Sequence, residues 1–292
     1  MSRPIRHRRW AIGAIALAAA VVGLHGSGSA QALTLFPTRI VLDDRDRAAQ
    51  LQIINNSDRP QRYVIEWRAM AMTPSGTLQF TERGAIPTPQ ASDHLISGPR
   101  QAIVPPNGYQ VVRLLSRIPP DAPSGEYRSH LVVSEPPMQT DEAPSSNNGT
   151  GIEIEINTVV RTTIPVILRK GETNVSVEPK DWWFRPDTPD GPQLGLTVQR
   201  QGNQSVNARA TITWIADGDN KRQLVPRAFA VYTDIKQRDV IHRLPGLEGI
   251  DPSRGRIRYV LERIDGQGQA LGTLFTRTLD LASLPANGGM SR

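Results

Sequence analysis

Apolar and polar residues alternate along most of this chain, in short runs that are separated by turn residues. The runs are punctuated by 24 prolines and 24 glycines. Almost no segment after residue 32 shows the 3.6-residue period of an amphipathic helix. A period of two residues is that of a strand with one buried face. The pattern therefore predicts an all-β chain built of sandwiches.

The strand-like runs fall into two series. The first series has seven runs, the number that an immunoglobulin-like domain needs: Leu33–Leu42, Ala48–Asn55, Gln61–Met70, Gln101–Val104, Tyr109–Arg117, Tyr127–Ser134 and Ile152–Arg169. The second series is Asn174–Pro179, Gln193–Gln199, Val206–Ile215, Gln223–Tyr232, Arg256–Arg263 and Leu271–Leu281. We therefore predict two immunoglobulin-like β-sandwich domains, residues 33–170 and 171–292, joined by a short linker with a cleft between them.

The last run of the first series is the most informative. Ile152, Ile154 and Ile156 alternate there with Glu153 and Glu155. A strand with bulky aliphatic residues on one face, directly after a polar loop, suits a sheet edge, and proteins normally protect such edges. Two interpretations stay open. The segment is either an ordinary core strand or an edge strand that is lent to a partner by β-strand addition.

The first 32 residues predict an export signal that is removed. Four arginines precede an apolar run from Trp10 to Leu24, and a stretch of small residues ends in Ala30-Gln31-Ala32. This order is typical of a secretory signal peptide with cleavage after Ala32. The apolar run is shorter than the ~20 residues that cross a bilayer. We therefore expect an exported mature chain that starts near Leu33.

Composition narrows the classes of function. The chain has no cysteine, so thiol nucleophiles and cysteine-bound metals are excluded, and the cores alone must stabilise the exported protein. Without the export signal, 30 basic and 28 acidic residues leave a net charge of +2. This small charge gives no strong case for nucleic-acid binding.

No pattern of residues predicts a catalytic site. The three histidines after residue 32, His94, His130 and His242, are isolated and lack metal-ligand spacing, so we interpret them as core or surface residues. The paired carboxylates have no feature that would make them a general acid–base pair. No nucleotide-binding or nucleophile motif occurs. We therefore predict a non-catalytic protein without a metal or cofactor.

The aromatic segment Trp182-Trp183-Phe184 has two interpretations. Two tryptophans beside Arg185 suit a platform for stacking sugars, whereas burial in a core or a domain interface explains them without a ligand. The first interpretation belongs to an alternative function, that of a secreted two-domain adhesion or carbohydrate-binding module. In that alternative the alternating strand is ordinary core.

Several segments together resemble the PapD-like periplasmic chaperones of chaperone/usher pilus assembly. They are the export signal, Pro37-Thr38-Arg39 in the first strand, the Pro-Asn-Gly turn before Val111–Leu115, the strand start Gly125–Arg128, and the alternating strand with Arg161 and Ile164-Pro165-Val166. The resemblance covers residues 33 to about 170. The second series of runs matches the family in length and strand pattern only.

The resemblance implies a boomerang of two immunoglobulin-like domains that captures pilin subunits lacking their last strand. It implies that Ile152, Ile154 and Ile156 enter the groove of the subunit as a temporary strand. It also implies that Arg39 and Arg161 hold the C-terminal carboxylate of the subunit in the cleft, with their side chains a few ångströms apart. The family often has lysine at the second position, and arginine keeps the charge.

The resemblance also implies partners and a location. The partners are pilin or fimbrial subunits and an outer-membrane usher, the location is the periplasm, and no cofactor is involved. We expect the free protein to expose its three donor isoleucines and to self-associate through them. The absence of cysteine and a loop of about a dozen residues before the donor strand are closer to the short-loop branch of the family, and a divergent subgroup stays open.

Overall fold

The computed structural model describes residues 33–136 and 159–286, apart from Asp219, Val225 and the side chain of Pro252. The described residues fold into β-sheets with three short 3-10 helices, Ala91–His94, Pro252–Arg254 and Leu281–Ser283. The sheets form two immunoglobulin-like β-sandwiches, one before and one after residue 170. The predicted all-β fold class is therefore confirmed.

The first sandwich contains ten strands among the described residues: β1 Leu33–Phe36, β2 Ile40–Leu42, β3 Ala48–Asn55, β4 Gln61–Met72, β5 Leu78–Thr81, β6 Leu95–Gly98, β7 Gln101–Val104, β8 Tyr109–Ser116, β9 Gly125–Glu135 and β10 Val160–Lys170. One sheet has the strand order β1-β3-β8-β6, and the other has the order β2-β10-β9-β4-β5 with β7 also paired to β4. β10 lies between β9 and the short strand β2.

The second sandwich contains eight strands among the described residues: β11 Ser176–Arg185, β12 Gln193–Gln201, β13 Val206–Ala216, β14 Lys221–Gln223, β15 Arg227–Val231, β16 Gln237–Arg243, β17 Gly255–Ile264 and β18 Ala270–Asp280. Its sheets have the orders β11-β12-β16 and β14-β13-β17-β18, and β15 also pairs with β13. Strands β15 and β16 are therefore neighbours in sequence but belong to different sheets.

The first predicted strand is split in two. The run Leu33–Leu42 was expected to be continuous, but β1 pairs with β3 in one sheet and β2 pairs with β10 in the other. Pro37 lies at the crossing, where a residue without a backbone N–H is tolerated because the ladder is interrupted. The leucine side chains of both halves face the same core, so the chain changes sheet without losing apolar burial.

Each sandwich has its own apolar core. One core draws only on residues of β1–β10 and their loops, and the other only on residues after Lys170. A small third cluster, Met72, Ile167, Ala230 and Tyr232, joins the two sandwiches and is called the junction below. β10 ends at Lys170 and β11 begins at Ser176, so the predicted domain boundary falls between strands.

Candidate functional site

Within the described part of the chain, one edge of strand β10 is free over half of its length. β10 pairs with β9 from Val160 to Lys170, but on its other side it pairs with β2 only from Val166 to Leu168. Among the described residues, no strand covers the outer side of Val160–Pro165, which we call the open edge. Val160 is 48% exposed although it is apolar. The open edge is thus a template for pairing with another strand.

Pro165 shows which backbone groups face outward. In an antiparallel pair, residues alternate between those that bond to the partner strand and those that face away. Pro165 has no N–H to donate to β9, and it is aligned with His130 of β9. The N–H of Arg128, two residues before His130, donates away from β10 to the Pro89 carbonyl at 2.9 Å. His130 has the same parity as Arg128, so its backbone groups also face away from β10. Thr163 and Arg161 share the parity of Pro165. Their N–H and C=O groups therefore face the open edge.

The predicted donor residues lie N-terminal to this edge. Ile152, Ile154 and Ile156, together with Glu153 and Glu155, lie outside the described residues. The described part of the strand begins at Val159 and Val160, both exposed aliphatic residues. The donor interpretation is therefore a prediction for those five residues, and the open edge is the described segment that follows them in the sequence.

Arg39 lies at the junction between the sandwiches. Its Nη2 donates a hydrogen bond to the hydroxyl of Tyr232 at 3.1 Å. Its guanidinium also lies 5.3 Å from the centre of the Tyr232 ring. The side chain is half-buried. Arg39 therefore contacts the second sandwich with part of its charged surface still in solvent.

The environment of Arg161 differs from that of Arg39. It is exposed and lines a groove of about 290 Å³ on the outer face of the six-stranded sheet. The groove also contains the exposed ring of Phe80, and the ion pair between Glu66 and Arg68, at 2.6 Å. Arg161 itself makes no ion pair within the described part of the chain. Its charge is therefore available to a partner.

The strand register shows how the two arginines are offset along the sheet. Val166 of β10 is aligned with Ile40 of β2, and Arg39 directly precedes Ile40. Arg161 lies five residues before Val166, so the two arginines are offset by four residues, roughly 13 Å along a strand. The two side chains share no contact residue, because Arg39 packs on Tyr232 and Arg161 lines the groove with Phe80. The close approach of the two guanidiniums therefore stays a prediction.

The junction contains a buried ion pair that the sequence did not predict. Nη1 of Arg128 lies 2.9 Å from Oδ1 of Asp234, and the two side chains are 0% and 3% exposed. Arg128 also donates to the carbonyl of Met70, and the carboxylate accepts from the N–H of Met72 at 2.8 Å. Burial alone would raise the pKa of Asp234, but the hydrogen bond and charge of Arg128 outweigh it and lower that pKa.

Tyr232 is held between the two cations. The guanidinium of Arg128 lies 4.1 Å from its ring centre, closer than that of Arg39. A tyrosine ring in contact with desolvated cations is a favourable cation–π arrangement. Tyr232 thus links Arg39, on the solvent side, to the buried ion pair.

Glu126 forms a second polar link between the sandwiches. Its Oε2 accepts from the backbone N–H of Ser205 at 3.0 Å and from the Ser205 hydroxyl at 2.8 Å. Arg169 of β10 donates to the same oxygen at 3.4 Å. Burial lowers the pKa of Arg169, and the charge of Glu126 opposes this effect. Strand β9 therefore supplies both charged contacts, Glu126 and Arg128, to the second sandwich.

His130 is buried beside the ion pair. Both ring nitrogens lack a hydrogen-bond partner among the described residues, and the ring makes an edge contact with Tyr232 at 6.0 Å. Burial lowers the pKa of His130 to about 3, and the charges of Arg128 and Arg39 act in the same direction. The imidazole is therefore neutral at physiological pH, which fits the prediction of a core histidine.

The tryptophan segment belongs to the second sandwich. Trp183 is 2% exposed, and its indole packs so closely on Gly195 that a side chain at Gly195 would overlap it. Trp182 packs edge-on against Tyr259 at 5.0 Å. The core interpretation is therefore correct for Trp183, and this ring does not form a stacking platform.

The described residues contain neither a group of metal ligands nor a membrane-crossing helix. No group of histidine, aspartate and glutamate side chains in ranges 33–136 and 159–286 is arranged to hold a metal ion. In the same ranges, no helix is long and apolar enough to cross a membrane.

Comparison with known proteins gave similar structures only. No protein-family model matches the chain, and no curated protein sequence matches it. The YadV chaperone is 13% identical, with a TM-score of 0.44, and the match covers 85% of this chain and 100% of that chain. The CupB2 chaperone of Pseudomonas aeruginosa is 15% identical, with a TM-score of 0.40, covering 85% and 100%.

A third similar structure contains a subunit as well as a chaperone. The match in the structure of Salmonella enterica SafA pilin in complex with the SafB chaperone is 14% identical, with a TM-score of 0.42, and covers 85% of this chain and 95% of that chain. Each of these three similar structures is of a chaperone or contains one.

Proposed function

We propose that this chain is a non-catalytic periplasmic chaperone that binds pilin-type subunits by β-strand addition and delivers them to an outer-membrane usher. The observation that carries the proposal is the open edge of β10. A strand that is paired on one side and left free on the other, with exposed valines at its start, offers its backbone to a partner.

The donor segment supplies the apolar part of this binding. Ile152, Ile154 and Ile156 precede the open edge on the same chain. Each isoleucine that becomes buried in a partner contributes about 1.5–3 kcal/mol. A slip of one residue would turn Glu153 and Glu155 toward the groove of the subunit, so the alternation fixes the register.

The two arginines serve as anchors for negatively charged groups of the subunit. Arg161 belongs to the lending strand, faces the open edge with its backbone and has no ion-pair partner within the described residues. Arg39 lies at the junction with part of its guanidinium in solvent. Guanidinium groups bind carboxylates with two parallel hydrogen bonds. We assign the C-terminal carboxylate of the subunit to these two positions, as the resemblance implies.

The alternative function has less support. A carbohydrate-binding module needs an accessible aromatic face, and Trp183 is buried while Trp182 packs on Tyr259. The alternative also gives no role to an uncovered strand edge in the first sandwich. We therefore place the binding surface on β10.

The test uses the outward N–H of Thr163. The variant Thr163→Pro removes this donor without affecting the hydrogen bonds to β9, because the N–H faces away from β9. The variant Thr163→Val keeps the N–H and removes the hydroxyl. Both are co-expressed with a pilin-type subunit that lacks its last strand, and the complex is isolated through a tag on the subunit.

We expect the proline variant to bind the subunit about two- to tenfold more weakly, the value of one lost hydrogen bond. The valine variant should bind as the natural chain does. Circular dichroism and thermal melting of each free variant check that the fold is kept. If the folded proline variant binds with unchanged affinity, β10 is not the lending strand and the proposal fails.

A further inference from the structure

A groove of about 520 Å³ lies in the second sandwich, between β15 and β16. Among the described residues, β15 pairs only with β13, and β16 pairs only with β12. The free sides of the two strands face one another across the groove, which also contains Ser75 from the first sandwich. We call it the basic groove, because Arg227, Arg238 and Arg243 line it.

One residue of the first sandwich already pairs with β16. The backbone N–H of Asp239 donates to the carbonyl of Pro74 at 2.8 Å. Asp239 therefore faces away from β12, and residues of the same parity do so as well. Ile241 and Arg243 have this parity. Among the described residues, nothing pairs with their outward backbone groups, so the strand edge that Pro74 begins to cover stays open beyond it.

The opposite wall also presents a backbone group. The carbonyl of Ala230 in β15 accepts from Nη1 of Arg238, so Ala230 faces the groove. Ala228 has the same parity and is exposed. The guanidinium of Arg238 lies 5.6 Å from the ring of Phe229, and its Nε is buried with no hydrogen-bond partner in the described part of the chain.

The charges of the groove are unbalanced. The carboxylate of Asp239 accepts a hydrogen bond from the hydroxyl of Thr197 at 2.7 Å. Arg243 forms an ion pair with Asp190 on the surface, at 2.9 Å and with both side chains more than half exposed. The side chain of Arg227 makes no hydrogen bond or ion pair within the described residues. The groove therefore carries excess positive charge beside uncovered backbone donors and acceptors.

We propose that the basic groove binds an extended, acidic segment of a partner protein, which adds as a strand along Ile241 and Arg243 of β16. The open carbonyls of β16 need donors, which a peptide backbone supplies and a polyanion such as polyphosphate does not. Carboxylate side chains of the segment bind Arg227 and Arg238. This site is separate from the open edge of β10, and it does not depend on the function proposed for that edge.

The experiment uses the purified chain and a fluorescein-labelled hexapeptide of alternating glutamate and valine, followed by fluorescence anisotropy. Two further probes are the same peptide with an N-methylated backbone and a peptide with lysine in place of glutamate. Unlabelled inorganic polyphosphate serves as the competitor. The N-methylated probe keeps the charge but loses its backbone donors.

Two pairs of variants locate the site. Arg227→Glu reverses a charge in the groove, and Arg258→Glu is its control on β17, where Arg258 is exposed and lies outside the groove. Ile241→Pro removes one outward N–H, and Ile241→Val keeps it. If Ile241→Pro fails to fold, the N-methylated probe still tests backbone pairing.

We expect the acidic peptide to bind in low salt. Arg227→Glu should weaken binding at least about threefold, and Ile241→Pro should weaken it about fivefold. Both controls should bind as the natural chain does, and the lysine and N-methylated probes should bind more weakly. No binding of the acidic peptide, or equal binding of the N-methylated peptide, would overturn the proposal. It would also be overturned if polyphosphate displaced the acidic peptide while a folded Ile241→Pro variant bound that peptide as the natural chain does.

Discussion

Arg128 and Asp234, which are 106 residues apart, form a fully buried ion pair between the two sandwiches, with 2.9 Å between Nη1 and Oδ1. Each partner has further hydrogen bonds, to Met70 on one side and to Met72 on the other. Both of these residues belong to the end of β4. The pair therefore fixes the second sandwich to one end of one strand of the first.

Removal of one partner from this pair should destabilise the protein strongly. We expect Asp234→Ala to lower the free energy of unfolding by about 3–5 kcal/mol, because Arg128 would stay buried without a counter-charge. The control is Asp190→Ala, which breaks the exposed pair with Arg243 and should cost no more than about 1 kcal/mol. Urea unfolding at pH 7 measures both. Similar losses for the two variants would contradict the role of burial.

Stability should fall when the pH drops below 6.5. Burial lowers the pKa of His130 to about 3 and that of His242 to about 4. A histidine with a lowered pKa binds protons more readily when unfolded, so its contribution is complete above pH 6.5 and is lost as the pH falls toward the folded pKa. Each histidine should cost about 2 kcal/mol between pH 6.5 and pH 5.

The two histidines differ in their partners, which gives a test. His130 has no hydrogen bond among the described residues, whereas Nε2 of His242 lies 3.0 Å from the hydroxyl of Tyr259. His130→Leu should remove about half of the pH dependence with little loss of stability at pH 7. Urea titrations at pH 7, 6 and 5 measure the slope. An unchanged slope in this variant would show that the pKa of His130 is the same in the folded and the unfolded state. The prediction would then be wrong.

Acidic residues in the donor segment should abolish subunit capture and leave the fold intact. We expect the double variant Ile154→Asp and Ile156→Asp to stay folded, to be more soluble and to lose its partner, because aspartate cannot enter an apolar groove. A matched control is Ile103→Asp, at an aliphatic residue of β7 that is 70% exposed. Co-purification and size-exclusion chromatography measure the outcome. Unfolding of the double variant would identify these isoleucines as core.

The two proposed anchors should differ in their effect on stability. Arg161→Ala removes an exposed side chain and should change the free energy of unfolding by less than about 0.5 kcal/mol. Arg39→Ala removes a hydrogen bond and a cation–π contact with Tyr232 and should cost about 1–2 kcal/mol. Both should weaken capture of the subunit. Normal capture by either variant would remove that arginine from the anchor.

The sequence predicted the strands that follow a simple alternation. The bounds of β3 and β7 agree with the predicted runs Ala48–Asn55 and Gln101–Val104. Strands β5, β6 and β16 were missed, because two of them have four residues and β16 has charged or polar residues at five of its seven positions. The run Gln223–Tyr232 was predicted as one strand, but Pro226 separates β14 from β15.

The junction could not be predicted from local pattern. Glu126 and Arg128 were part of a recognised strand start, but a pattern of neighbours along the chain contains no distance to Asp234 or Ser205. One indication of the junction was present in the sequence, because charged residues flank Tyr127 on both sides. They belong to a strand whose first nine residues are buried. Charges at such positions need partners from elsewhere in the fold. The offset of Arg39 from Arg161 along the sheet likewise follows from the pairing of β2 with β10, which motif spacing does not contain.

The placement of Glu126 and Arg128 on β9 has a consequence for how the protein matures. Both charges leave the ribosome well before Ser205 and Asp234, their partners in the second sandwich. Until Ser205 and Asp234 have been synthesised, the first sandwich exposes Glu126 and Arg128 to water, at a surface that the second sandwich later buries. The newly made chain therefore passes through a half-assembled stage that is open to proteases, and full resistance to proteolysis should appear only when its C-terminal half has folded.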